Sequence, residues 1–244
     1  MSRSRLVSIV VPTYNERQNL TRLVAAIQAH VRVPYEIVIV DDSSPDGTAD
    51  LARDLAREHP VRLVSRPAKA GLGSAYRDGF KAARGDLVFE MDADLSHDPR
   101  FVPALIDAVE SGGADVAVGS RYVPGGRVIG WSRYRRLVSG VGNMLARVVL
   151  RPGARDVTSG YRCYSRAAAD LVQSVESDGY AFQVEALFVA RSQGLRIVEV
   201  PITFENRVVG KSKLGAGEFG RFLQTLVRLR LARSTVRGRP SRVA

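Results

Sequence analysis

Two carboxylates separated by one residue, Asp92 and Asp94 in Met91-Asp92-Ala93-Asp94, stand at the end of an apolar run, Leu87 to Met91. Where a chain leaves a sheet, carboxylates so spaced can turn towards one ligand. Paired carboxylate oxygens hold a hard cation that also binds phosphates, and such a cation neutralises charge on a departing diphosphate. Alone, an Asp-x-Asp is a weak signal, because Asp94 can instead cap a helix and Asp92 can be merely exposed. Two further loops weigh against capping alone. Pro12-Thr13-Tyr14-Asn15-Glu16 follows the run Leu6 to Val11, and Asp41-Asp42-Ser43-Ser44 follows Glu36 to Val40. Tyr14 can stack on a nucleobase. Glu16 and Asp42 can accept hydrogen bonds from ribose hydroxyls or base nitrogens. Taken singly, Asn15 reads as a helix N-cap, Asp42 as the start of an Asx-turn, and Pro12 as the end of a strand because it cannot donate to a ladder.

The elements that must carry these loops alternate in type. Leu6 to Val11 is nearly all apolar, as a strand covered on both faces must be. Leu20, Leu23, Val24 and Ile27 then fall at i, i+3, i+4, i+7, one helical stripe. Glu36–Val40, Val61–Val64, Leu87–Met91 and Ala114–Val118 read as strands; Thr48–Glu58, Gly73–Ala83 and Phe101–Val109 read as helices. This rhythm predicts an α/β fold with a largely parallel, doubly wound sheet. Ligands of such sheets bind outside the carboxyl ends of the strands, where all three acidic loops lie. After Arg121 a Gly-rich loop, Pro124 to Gly130, leads into a helix expected over Arg133–Leu150.

Composition narrows the class further. The chain has 244 residues, 45% hydrophobic and 25% charged, which suits one globular α/β domain. One cysteine, Cys163, excludes an internal disulfide and a thiolate zinc site, fits a reducing setting, and reads as a core residue. No stretch approaches the roughly 20 apolar residues that cross a bilayer. Of the +11 net charge, only +2 belongs to residues 1–206, since ten basic residues and one acid follow from Arg207 onward. A neutral body with a basic tail points to an anionic partner, either a membrane face or nucleic acid. A nucleic-acid surface would interleave aromatics with its basic residues, and the tail is mostly aliphatic, so no nucleic-acid partner is expected. Gly71-Leu72-Gly73 is a poor dinucleotide loop, because Tyr76 stands at its third glycine. His97 reads as a loop residue beside Asp98-Pro99, and Trp131 as a packing residue or a gate.

The ordered set of motifs resembles the inverting GT-A glycosyltransferases of family 2, and within them the dolichyl- and polyprenyl-phosphate mannose synthases. It comprises the three acidic loops, Gly119-Ser120-Arg121-Tyr122, Gly130-Trp131, Arg135 to Asn143, Leu150-Arg151-Pro152-Gly153, Ser159-Gly160-Tyr161-Arg162 and Arg207 to Gly215. The resemblance implies a GT-A domain over residues 1–215, followed by an amphipathic helix and basic tail over 216–244. It implies mannose transfer from GDP-mannose to a polyprenyl phosphate, with Mg²⁺ or Mn²⁺; a UDP-glucose enzyme with the same acceptor class is the rival. Pro12, Tyr14, Glu16, Val40 and Asp42 would then hold the nucleoside. Asp92, Ala93 and Asp94 would hold diphosphate and metal, with Asp94 the principal ligand. Some relatives have a further Gln ligand where this chain has Ser96. Arg121, Arg207 and Lys213 would meet phosphates of donor or acceptor, and Arg135 and Ser139 the lipid phosphate. A lipid phosphate is already an anion and needs no general base, so alignment and charge neutralisation remain as the tasks.

The C-terminal segment completes the expectation. Phe219, Phe222, Leu223 and Leu226 form an apolar stripe with Arg221 and Arg228 opposite, and arginines interrupt the segment too often for it to span a bilayer. The first half is expected to pack on the body and the second to meet anionic headgroups. That places the chain in the cytoplasm, peripheral on the cytoplasmic membrane face, and leaves open a separate membrane subunit.

Overall fold

A computed structural model describes residues 5–179, 181–206 and 216–236. In chain order the first half runs β1 (Val7–Thr13), α1 (Arg17–His30), β2 (Tyr35–Asp41), α2 (Thr48–Leu55), β3 (Val61–Ser65), α3 (Leu72–Ala82), β4 (Leu87–Glu90), α4 (Val102–Glu110) and β5 (Val116–Ser120). The second half adds β6 (Arg127–Ile129), α5 (Arg133–Leu150), β7 (Arg162–Ser165), α6 (Arg166–Val172), α7 (Ala181–Ser192), β8 (Ile197–Pro201), β9 (Thr203–Glu205) and α8 (Ala216–Val236).

The main sheet has the order β3-β2-β1-β4-β7-β5-β8, and β6 pairs with β9 beside it. All its pairings are parallel except those of β7, which lies antiparallel between β4 and β5. The strand order reverses between β1 and β4, and a ligand crevice forms outside the carboxyl ends at such a reversal. Side chains alternate across the sheet. Ile9, Val11, Ile37, Ile39 and Phe89 join α1 and α4 in one buried cluster. Val10, Val38, Val40 and Val88 join α3, α5, α6, α7 and α8 in the other. The stripe Leu20, Leu23, Val24 and Ile27 is fully buried, as its spacing requires.

Several boundaries move. Pro12 does not end β1: the strand runs on to Thr13 with Pro12 opposite Val40, while the ladder to β4 stops at Val10. In a parallel ladder alternate residues face one neighbour, so the missing N–H of Pro12 falls on the side where pairing has ceased. Nor is Asn15 the cap of α1. Glu16 holds that position, and Asn15 sits at φ 60°, a left-handed conformation its short polar side chain tolerates. The strands after Arg121 lie beyond the sequence rhythm altogether.

In α8 the buried face is Phe222, Thr225, Leu226 and Leu229, with Leu223 turned outward, so the face is rotated from the expected stripe. The apolar members add about 2 kcal/mol each to docking against α5 and α7. Arg228, its side chain 43% exposed, is tied to the body through its head group. It donates to Glu185 at 2.5 Å, to Glu176 at 2.9 Å and to Ser177 at 2.8 Å. No helix among the described residues is long and apolar enough to cross a membrane.

Candidate active site

The loops after β1 and β2 are stitched into one surface. The backbone N–H of Asn15 donates to Ser44 Oγ (3.0 Å), that of Glu16 to Thr48 Oγ1 (3.1 Å) and that of Arg17 to Asp46 (3.1 Å). Glu16 accepts from Asn19 Nδ2 at 2.8 Å. Lys69 lies 4.3 Å from the centre of the Tyr14 ring. Asp42 is buried, and its Oδ1 meets Arg66 Nη1 at 2.9 Å without hydrogen-bond alignment. Burial pushes the Asp42 carboxyl up from its ordinary value, with Arg66 pulling against it. Val40 and Ala93, expected to touch the donor, bury their side chains in the core, so only their backbone can face a ligand.

The next strand over, β4, delivers the carboxylate pair. Asp94 is 6% exposed and its Oδ1 accepts the Ser96 N–H at 3.0 Å, a tight turn in which Leu95 takes φ 62°. Asp92, with a side chain 37% exposed, reaches further out. Tyr76, fully buried on α3 and stacked on Phe182 at 5.8 Å, donates its hydroxyl to Asp92 Oδ1 at 3.3 Å. His97 Nδ1 accepts the Asp92 N–H at 3.1 Å while the ring stacks on Tyr161 at 4.9 Å. Burial lowers the His97 pKa, which keeps the ring neutral and Nδ1 available as that acceptor. His97 therefore shapes the loop, as its place beside Asp98-Pro99 suggests. The donors at this edge are hard carboxylate oxygens, which fits a Mg²⁺ or Mn²⁺ held by one or two carboxylates plus substrate phosphates. Among the described residues no three acidic, His or Cys groups form a closed metal cage.

A basic line begins at the end of β5. Arg121 is buried, and three of its five N–H groups are engaged: Nε and Nη2 each bond Asp156 at 2.7 Å, and Nη2 also bonds Thr158 at 2.9 Å. Burial favours loss of the Arg121 proton, but the Asp156 carboxylate outweighs it and raises the pKa. Arg135 and Ser139 lie four residues apart on α5, hence on one helix face. Ser139 accepts the Tyr122 hydroxyl at 2.8 Å. Arg135 donates to Asn206 at 3.0 Å and lies 4.2 Å from the Trp131 ring centre, with Arg121 5.3 Å from the same ring. Asn143 closes the circuit, donating to Ser139 O at 2.9 Å and to Thr158 Oγ1 at 3.1 Å. Trp131 is thus a packed spacer between two cations.

The structure brings the three expected arginine and serine positions into one connected group and the acidic residues onto one sheet edge. Arg207 and Lys213 lie outside the described residues. Sequence reading missed Asp156, Tyr76, Tyr122, Asn143 and Thr158. Tyr122 and Asn143 lie inside motifs that carry the resemblance, and Asp156 carried a signal as the acid that follows the turn-rich Arg151-Pro152-Gly153-Ala154-Arg155 stretch.

A family profile described as Glycosyl transferase family 2 matches residues 8–172. Polyprenol monophosphomannose synthase of Mycolicibacterium smegmatis is 45% identical over 213 residues, 84% of this chain and 80% of that protein. Undecaprenyl-phosphate mannosyltransferase of Micrococcus luteus is 42% identical over 93% of this chain and 94% of its own length. Dolichol-phosphate mannosyltransferase of Pyrococcus furiosus is 40% identical over 91% of this chain, which spans 63% of that protein. Among solved structures, glucosyl-3-phosphoglycerate synthase of Mycobacterium tuberculosis, in complex with Mn²⁺, UDP and glucosyl-3-phosphoglycerate, matches 98% of this chain and 82% of its own. The TM-score is 0.69 at 23% identity, a likeness of fold.

Proposed function

Because the chain belongs to glycosyl transferase family 2, we propose that it moves mannose from GDP-mannose to the phosphate of a polyprenyl lipid, inverting the sugar carbon. The observation that carries this reading is the pairing of an acidic edge, Asp92 and Asp94, with the connected group Arg121, Ser139 and Arg135. The names of the relatives above support the lipid and the sugar. Asp92 and Asp94 would hold Mg²⁺ or Mn²⁺, which when bound neutralises charge on the departing diphosphate. Pro12, Tyr14, Glu16 and Asp42 line the nucleoside side, with Arg207 and Lys213 assigned to phosphates by resemblance. Arg135 orients the acceptor phosphate, since a guanidinium can pair bidentately with phosphate oxygens, while Arg121, whose fork is held by Asp156 and Thr158, adds a fixed positive charge and its remaining Nη1 donors. The carboxylate paired with Arg121, Asp156, is held by it and is not free to act as a base, which suits an acceptor that is already an anion.

Membrane contact belongs to the same reading. Tyr134, Leu137, Val138, Val141, Met144 and Val148 form an exposed apolar stripe along α5, beginning beside Arg135. Leu223, Val227 and Leu231 form another on α8. A surface helix with such a face lies in the headgroup region, here on the cytoplasmic side where a nucleotide sugar is supplied. Residues 1–215 carry the transfer and 216–244 add to the contact.

A donor screen tests the proposal: the full chain with Mg²⁺ or Mn²⁺, a short polyprenyl phosphate, and either GDP-mannose or UDP-glucose. Lipid-linked mannose from GDP-mannose is expected. Preferential glucose transfer from UDP-glucose would replace the donor assignment, and transfer from neither would overturn the acceptor.

A further inference from the structure

A depression of about 370 Å³ lies at the far end of α5 and belongs to none of the groups described above. Arg147 and Arg151 line it from the last turn and the C-cap of α5, Arg155 from the following loop, and Arg191 from the last turn of α7. Its one carboxylate, Glu199, is occupied: Oε2 accepts the N–H of Arg155 at 2.8 Å and Oε1 that of Asp156 at 2.9 Å. The ion pairs among the described residues include none of these four arginines. Gly153, at φ +89°, makes the turn that returns the chain to the rim, and lies against Arg191.

Helix C-termini attract cations through their open carbonyls, which accounts for Arg147 and Arg191 at the ends of α5 and α7. The same holds for Arg151 at the C-cap of α5, but not for Arg155 in the loop beyond. Four guanidinium groups around one concavity repel one another, and an anion among them relieves that repulsion. Arginine's planar fork pairs bidentately with carboxylate and with phosphate, and of the two phosphate carries more charge to offset four guanidinium groups. Arg147 lies eight residues beyond Ser139, about 12 Å along a helix, so the depression is distinct from the proposed acceptor phosphate site.

We infer that this depression is a second anion site, built to take a phosphate group carried by either a phospholipid headgroup or a small soluble molecule. The inference does not depend on the mannosyl transfer reading, since none of the four arginines takes part in it.

Arginine footprinting on the full chain tests it. Phenylglyoxal modification, read by peptide mass spectrometry, is followed with inorganic phosphate or with phosphatidylcholine vesicles containing phosphatidic acid. Arg147, Arg151, Arg155 and Arg191 should react several-fold more slowly with one of these probes present, while Arg22 and Arg32, exposed on the opposite cluster's side, should not change. Protection by inorganic phosphate identifies a soluble occupant; protection by the vesicles alone identifies a headgroup. In the second case Arg147→Gln with Arg191→Gln should weaken vesicle binding by roughly tenfold or more, two cations near an anionic surface being lost. Footprinting uses the unaltered chain, so it stands even if that variant fails to fold. Absence of protection by either probe overturns the site.

Discussion

Arg121 and Asp156 meet fork to fork, Nε and Nη2 each 2.7 Å from a carboxylate oxygen, with the Arg121 backbone N–H a third contact at 2.9 Å. Both residues are buried. Removing one partner of such a pair strands the other charge, so Asp156→Ala should cost on the order of 3–5 kcal/mol. Urea unfolding measures this. A loss below about 1 kcal/mol, the worth of an exposed pair, would mean that solvent reaches Arg121 and that the pair does not hold it in place.

Asp94→Asn keeps an oxygen for the Ser96 N–H and removes the charge, so the turn should survive while metal binding fails. Turnover should fall by roughly a hundredfold or more, as when a preorganised electrostatic contact is lost, with an unchanged melting temperature. EDTA in excess should abolish activity of the unaltered chain. Full activity in EDTA would remove the metal from the mechanism.

Arg135→Ala should raise the KM for lipid phosphate roughly tenfold, the worth of a hydrogen bond to a charged group, and leave the donor KM nearly unchanged. Steady-state kinetics with each substrate varied in turn separates the two. An unchanged lipid KM would return Arg135 to its contacts with Trp131 and Asn206 alone.

Tyr76→Phe preserves the stack on Phe182 and deletes only the hydroxyl that meets Asp92 at 3.3 Å. If that hydroxyl positions Asp92, Mn²⁺ binding with GDP, followed by electron paramagnetic resonance, should weaken about tenfold, a hydrogen bond to a charged group contributing about 1.5 kcal/mol. Identical binding curves would assign Tyr76 to packing alone.

The acidic edge was legible because each acid ends an apolar run, and an apolar run of that length in an α/β rhythm is a strand. Asp41, Asp42, Asp92 and Asp94 needed nothing more than their place in the chain. The basic side was legible by resemblance only, because what joins its members is remote in sequence: Asp156 reaches Arg121 across 35 residues, and Tyr122 reaches Ser139 across 17. Strand β7 hid for another reason. Its four residues begin with Arg162, fully buried opposite Glu90 and bonded through Tyr164, whose hydroxyl donates to Glu90 at 2.8 Å. A buried arginine with its partner on another strand has no hydrophobic signature. In α8 the periodicity was right and its phase was not: Thr225 and Leu229 join the buried face and Leu223 turns outward, while the exposed Arg228 is tied to Glu185.

That rotation shapes the last prediction, on membrane binding. Two forces can hold the chain to a bilayer, and they sit on different residues. The five basic residues after Leu229 (Arg230, Arg233, Arg237, Arg239 and Arg242) contribute about 1 kcal/mol each near an anionic surface and are screened by salt. The apolar stripes do not respond to salt in that way. On α5, Leu137 is 65% and Val148 71% exposed; on α8, Val227 is 60% exposed. Truncation after Leu229 keeps the buried face of α8 and removes all five cations, so it should weaken binding to anionic vesicles and abolish most of the salt dependence. Leu137→Glu with Met144→Glu should instead weaken binding to neutral vesicles as well, and to anionic ones further still, because each replaces an exposed apolar contact with a charge that an anionic surface repels. Vesicle sedimentation at low and high salt resolves the two. If the truncation is without effect while the glutamates release the chain, α5 is the anchor, and the acceptor phosphate would be met by Arg135 at the start of the same helix. If neither change releases the chain, neither the basic tail nor the α5 stripe is the anchor, and the contact falls to the α8 residues that the truncation keeps, Leu223 and Val227, or elsewhere.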